Sequence, residues 1–298
     1  MKFYSVLFSI ILFIVLSLSG CSGDSSSSGE SGTLALHLAD APLVDEKNVT
    51  GVYITITEIQ YHANGGWHAM EEFNTSVNPI NLLEWQDGKS ISLGDFQMPA
   101  GKYTQMRFML DAAEETKRPK SNTGCYIEFD GDRNETLYVP SGSQTGYKAI
   151  GNYDVPINGT VTMTADFDVR KSIVVTGKAP DVYHKLKPTI RLVVTDEAGA
   201  ITGSVNELNA SNTYVVYAYE SSNDLDPDAE AGNDFENAVT SAAVKEGGSY
   251  TLSFLAEGSY DLIIAKYDGN GLNVDNQLQI GVNVQSGETT VYNVDWTL

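Results

Sequence analysis

Thr160-Val161-Thr162-Met163-Thr164-Ala165-Asp166-Phe167-Asp168-Val169 decides the fold. Val161, Met163, Ala165, Phe167 and Val169 fall on one side of an extended chain, and the threonines and aspartates fall on the other. A period of two predicts a half-buried antiparallel strand, with Asp166 and Asp168 facing solvent. The same alternation recurs at Leu34, Leu36 and Leu38, and at Tyr250, Leu252 and Phe254. Leu278, Ile280, Val282 and Val284 repeat it, as do Tyr292, Val294, Trp296 and Leu298. Helical periodicity is scarce, confined to a short turn around Asn81-Leu82-Leu83-Glu84-Trp85 that Asp87-Gly88 stops. The chain is therefore expected to be all-β.

About 265 residues follow the N-terminal segment, more than one core usually holds. Asp196-Glu197-Ala198-Gly199-Ala200 is turn-like, and charge changes there. Residues 22–195 carry 22 acids and 15 bases, whereas 196–298 carry 17 acids and 2 bases. The expected plan is two antiparallel β-sandwich domains in tandem, 33–195 and 199–298.

The N-terminus points to export. Lys2 is the sole charge in the first 20 residues, and Val6 to Leu18 is almost wholly apolar. That segment is too short for a comfortable membrane span and reads as a signal peptide, residues 1–20. Leu18-Ser19-Gly20-Cys21 resembles a bacterial lipobox, which makes Cys21 the lipidation site. Residues 22–32 hold six serines and three glycines and no apolar side chain. Such a segment cannot offset the entropy of ordering, so 21–32 is expected to be a lipidated cysteine and a flexible tether, ~18–20 Å from end to end. Ser22, rather than aspartate, follows the cysteine. By resemblance to the enterobacterial sorting rule, that residue implies an outer-membrane location, on the periplasmic or the cell-surface side.

The formal net charge of −21 excludes nucleic acid as a partner and disfavours adsorption to anionic lipid. With Cys21 lipidated, Cys125 is alone and no intramolecular disulfide forms. Cys125 shares a period-2 face with Ile127 and Phe129 and is expected to be an inert core thiol.

Three separated motifs add a resemblance. Gly32-Thr33-Leu34 through Leu38-Ala39-Asp40-Ala41-Pro42 comes first. Pro99-Ala100-Gly101-Lys102-Tyr103 with Arg107 is the second, and Leu186-Lys187-Pro188-Thr189-Ile190-Arg191-Leu192 the third. Together they resemble the bacterial family called domain of unknown function 4382, over about 33–195. That resemblance implies an exported, often lipid-anchored β-rich domain with no established activity. Ile201-Thr202-Gly203-Ser204-Val205, Gly248-Ser249-Tyr250-Thr251-Leu252 and Glu257-Gly258-Ser259-Tyr260-Asp261-Leu262 look like a carboxypeptidase-regulatory-like sandwich of transthyretin type. Such domains are themselves non-catalytic.

Sites of chemistry are few. Arg107 stands on a sheet face opposite Met106 and Phe108 and is expected to pair with a carboxylate. Asp40 is placed to bond backbone amides where Pro42 ends its strand. Gly88-Lys89-Ser90 ends like a phosphate loop, but Leu83 stands where the first glycine belongs. His62 and His68 flank Asn64-Gly65-Gly66; a three-residue loop would set them opposite each other, while a two-residue loop sets His62 across from Trp67. Residues 224–236 hold six carboxylates and no base. Asp224, Asp226, Asp228, Glu230 and Asp234 are weak metal candidates there, resembling the start of a calcium loop. Ala229 replaces its turn glycine, however, and Phe235 its closing glutamate. No other cofactor is indicated.

The sequence thus reads as a lipid-anchored, non-catalytic cell-envelope protein with a binding or structural role. Its partners are the membrane, through the lipid, and an unidentified protein or glycan. The alternative is a surface adhesin or pilus-like subunit, because lipid-anchored precursors with two transthyretin-like sandwiches are the general plan of some bacterial pilins. Such pilins need a cleavable strand marked by a basic site, and the first base after Cys21 is Lys47, beyond the strand Leu34–Leu38.

Overall fold

A computed structural model describes residues 30–41, 48–71, 73–113, 124–131, 133–140, 145–178, 181–221, 224–226, 235–269 and 273–296. The all-β expectation holds. Thr160–Asp168 lies inside an eight-stranded sheet. The order is Gly66–Ala69, Ile56–Ala63, Gly101–Leu110, Tyr147–Val155, Ile190–Val194, Thr160–Asp168, Ser31–Ala41 and Ile91–Pro99. Thr160–Asp168 runs parallel to Ser31–Ala41, with Met163 beside Leu36 and Ala165 beside Leu38, and antiparallel to Ile190–Val194. The pairing is therefore mixed rather than purely antiparallel. Alternation along a strand reports which face is buried, not the direction of its neighbour.

Only Ala100 separates Ile91–Pro99 from Gly101–Leu110, yet these strands stand far apart in the sheet order. One residue reaches about 3.8 Å, so the sheet curls back on itself at this corner. Gly101, at φ +149°, makes the turn, and the Tyr103 hydroxyl closes it by donating to the Pro99 carbonyl at 2.6 Å.

A six-stranded sheet packs on the inner face, in the order Ile173–Thr176, Tyr183–Leu186, Arg133–Tyr138, Tyr126–Phe129, Val49–Ile54 and Ile80–Asn81. Leu34, Leu36, Leu38, Phe108, Ile127 and Phe167 are among the fully enclosed side chains of one core. The strand Ser31–Ala41 takes the last two residues of the expected tether. Gly32 pairs with Met98, and a Cβ there would lie 2.1 Å from the Pro156 carbonyl oxygen.

Residues 199–295 supply the other two sheets. Ser249–Leu255, Gly199–Asn206 and Thr289–Val291 form one, with Val294–Asp295 beside the end of Gly199–Asn206. Thr240–Ala243, Thr213–Glu220, Gly258–Tyr267 and Asn273–Val284 form the other. Ile201, Leu252, Leu262, Ile264 and Trp296 pack between them. On the opposite face of the second sheet, Tyr217, Tyr219, Tyr267 and Phe235 make a separate cluster. Tyr217 and Phe235 stack there with ring centroids 3.8 Å apart.

One strand departs from its expected facing. Val282 and Val284 point inward, but Leu278 is 49% and Ile280 72% exposed. The register with Gly258–Tyr267 slips between Tyr260 and Leu262, where Gly281 takes φ +74° and donates its N–H to Asp261 Oδ1 at 2.9 Å. A bulge adds one residue and so inverts the alternation on one side of it.

Candidate functional site

Asp166 and Asp168 do not face solvent. Both are buried because the sheet's outer face is covered at this end by residues from the second pair of sheets; Asp40 is buried too, but on the inner face, in register with Phe167. Asp168 caps the single helical turn Val169–Ser172, its Oδ1 accepting from the Lys171 N–H at 3.3 Å. Its Oδ2 accepts from the Arg170 guanidinium at 2.8 Å and stands 3.5 Å from the Lys171 ammonium. On the same strand, Asp166 Oδ2 accepts from Arg191 of the neighbouring strand at 2.6 Å.

These cations reach across the junction to main-chain oxygens. Arg170 donates to the carbonyls of Phe235 and Ala238, Lys171 donates to Ala238, and Arg191 donates to Phe254 at 2.7 Å. Phe235 and Phe254 adopt φ +60° and +57°. Bulky residues are rarely found there, at a cost of ~1–3 kcal/mol each, and persist only when their surroundings hold them. Each guanidinium grips one such carbonyl, and Arg170 also lies 5.2 Å from the Tyr217 ring centroid. Nearby, Asp87 pairs with Lys245 at 2.9 Å, and a Cβ on Gly88 would meet Ser253 Oγ at 2.6 Å. The stretch Gly88-Lys89-Ser90 thus serves contact, not phosphate.

Two clefts flank Arg191. One of about 330 Å³ is lined by Asn152, Glu197, Glu220 and Tyr260 among others. The other, about 270 Å³, is lined by Asp166, Asp168, Lys171 and Asn237 among others. Burial pushes the Asp40 carboxyl well above its usual range; bonds from Gln86 and Val169 oppose this, and the charges of Asp168 and Asp166 add to it. Burial raises Asp166 too, against the pull of Arg191. A raised carboxyl in a cleft suits a general acid. Yet Asp40 accepts from Gln86 Nε2 at 3.1 Å and from the Val169 N–H at 3.1 Å, and Asp166 is held by Arg191. Both Asp40 oxygens, and Oδ2 of Asp166, are engaged in holding structure.

The family model described as Domain of unknown function (DUF4382) matches residues 31–188. The chain belongs to that family. No curated protein matches it. Similar solved structures include the Bacillus anthracis TIE protein, at 10% identity and TM-score 0.22, covering 89% of this chain and 34% of that one. The chain thus spans about a third of the length of that protein. GBS52, the minor pilin of Streptococcus agalactiae, is 10% identical at TM-score 0.21, over 89% of this chain and 94% of that one. BcpA, the major pilin subunit of Bacillus cereus, is 10% identical at TM-score 0.21, over 89% and 99%.

The third motif of this DUF4382 chain reaches the junction through Arg191, just past the matched residues, while Asp40 of the first, near the end of the strand Ser31–Ala41, holds Gln86 and the Val169 N–H. The second motif, Pro99 to Tyr103, is the sheet corner. Arg107 finds no carboxylate within ion-pair distance among the described residues. Its Nε donates to Gln60 Oε1 at 2.6 Å instead, and its guanidinium lies over Trp67. His62 pairs with Trp67 and His68 with Tyr61, so the two histidines project from opposite faces of the hairpin. Among the described residues no group of three or more His, Cys, Asp or Glu side chains is gathered for a metal. Cys125 is fully buried, and burial pushes its thiol up to about 12.

Of the acidic-loop residues, Asp226 accepts the Tyr219 hydroxyl at 2.7 Å on Oδ1 and the Asn237 N–H at 3.0 Å on Oδ2. The Asp224 carbonyl accepts from Asn237 Nδ2 at 3.2 Å. Asp228, Glu230 and Asp234 lie outside the described residues, as does Cys21. Sequence reading missed Asp166, Asp168, Arg170 and Lys171 as a cluster. The signal was the density of charge in Asp166 to Lys171 on an otherwise threonine-rich face.

Proposed function

We propose that this chain is a non-catalytic envelope protein, held to the outer membrane by lipid on Cys21. Residues 33–195 and 199–298 act in it as two β-sandwich domains clamped together, the second of carboxypeptidase-regulatory-like type. Its role is to carry a binding or structural surface away from the bilayer on the tether 21–32. The observation that carries the reading is the junction. Asp166, Asp168, Arg170, Lys171 and Arg191 are spent on one another and on main-chain oxygens, as a clamp would use them. The lipobox and the Ser/Gly run supply the anchor.

Cys21→Ala tests the anchor. The wild-type chain should take up labelled fatty acid and enter the detergent phase on phase separation, while the variant should do neither. Equal labelling and equal partitioning of both proteins would overturn the anchor.

A further inference from the structure

The outer face of the eight-stranded sheet is covered only in part. On its open half, one row across the strands places Gln60 beside Arg107 and Arg107 beside Lys148. The next row sets Trp67 beside His62 and Gln105 beside Ile150, which is 70% exposed. The Arg107 guanidinium centre lies 4.4 Å from the Trp67 ring centroid, and the Lys148 ammonium lies 5.7 Å from it. Arg107 is held as a fixed fork: Nε donates to Gln60, and Nη1 donates to the Thr145 carbonyl at 3.3 Å. Its other terminal nitrogen makes no hydrogen bond among the described residues. Neither Arg107 nor Lys148 has a carboxylate partner there, whereas exposed Lys102 and Arg133 pair with Asp154 and Glu135. Glu58, on the same face, accepts from Gln60 rather than from either cation.

We infer that this open face binds a carboxylated polysaccharide, with Arg107 and Lys148 taking a uronate carboxylate and Trp67 and Ile150 meeting the apolar edge of a sugar ring. A planar guanidinium already ordered by stacking loses little freedom on accepting a carboxylate, and such charge-assisted bonds are the stronger kind. Gln105 and His62 supply both donors and acceptors, as a hydroxyl-rich polymer requires. Two exposed apolar side chains fall far short of a protein interface, which buries about 1,200 Å² or more. An anionic bilayer is recognised by clusters of roughly four to eight bases, and this row holds two, Arg107 and Lys148.

The test uses the full chain in mild non-ionic detergent, with polygalacturonate, neutral dextran and phosphatidylserine vesicles as probes. Polygalacturonate should bind and weaken with salt, and dextran should not bind. Lys148 is exposed and its ammonium lies over the Trp67 ring, so Lys148→Glu should keep the thermal midpoint while weakening polygalacturonate at least ~10-fold, about one charged hydrogen bond. Arg107→Gln should do the same. The inference is overturned by no polygalacturonate binding, by equal binding of dextran, or by unchanged affinity in the double variant. Adsorption to vesicles without polymer binding overturns it too, and gives the patch to a membrane. None of these outcomes depends on the Cys21→Ala result.

Discussion

The two halves of one sheet face carry the same kinds of charged residue and treat them differently. Where the second pair of sheets covers it, Arg170 and Arg191 each have a carboxylate on their own side and a main-chain oxygen across the junction. On the other half, Arg107 rests on an indole and an amide. Desolvation explains the contrast. A charge removed from water must be matched by an opposite charge and further hydrogen bonds, while a charge left in water needs neither. Pairing is therefore obligatory at the junction and optional on the exposed half. The covered half also holds the two left-handed phenylalanines, so strain and charge are concentrated at one contact.

The largest test of this contrast is Asp168→Ala against Arg107→Ala. Removing Asp168 strands Arg170 and Lys171 in the junction, with their side chains only 6% and 19% exposed. Breaking a buried pair from one side costs ~3–5 kcal/mol, whereas an exposed cation is worth ~1 kcal/mol or less. Denaturant unfolding should show that separation. Equal losses would mean that the junction is solvated and the comparison fails.

Asp40→Asn sharpens the comparison through pH. Burial raises Asp40, so the folded chain keeps that proton at pH values where the unfolded chain has released it. Stability therefore falls as pH climbs from the ordinary carboxylate range, about 4, through the raised value, and below that range the carboxyl carries no penalty. Asparagine carries no proton to lose, and a rotated Gln86 amide can still bond it. The midpoint of the variant should gain on wild type as pH rises above about 4 and level off once the raised value is passed. An advantage that shrinks with rising pH would place a cation beside Asp40 that the structure does not put there.

Much of the sheet was legible because alternation is local. Ala165, Phe167 and Val169 are buried as their spacing requires, and Asn81 caps the turn Leu82–Glu84 by accepting from the Leu83 N–H. The facing of Asp166 and Asp168 was not legible, since it depends on Phe235 and Ala238, some seventy positions along the chain. No local pattern distinguishes an outer face that stays wet from one that is later covered. Ile280 was misplaced for a different reason: its bulge is set by Asp261 on the neighbouring strand. Arg107 was expected to meet a carboxylate, and only the register that sets Gln60 beside it shows otherwise.

The smallest expected effect concerns calcium at the acidic loop, where the same criterion applies in miniature. Calcium takes six to eight oxygens and prefers carboxylates free to turn towards it. Asp226 is not free: one oxygen accepts a tyrosine hydroxyl and the other a main-chain N–H, so both hold the loop. The remaining carboxylates repel one another, and any cation relieves that by screening. Thermal unfolding of the full chain should therefore shift equally with calcium and with sodium chloride at matched ionic strength. A true site of ~10⁻⁴ M would instead add about 1.4 kcal/mol at ~1 mM free calcium. A calcium shift larger than the salt shift, and lost in the Asp226→Asn, Asp228→Asn double variant, would make the loop a binding site. It would also show that a carboxylate with both oxygens engaged can still be recruited.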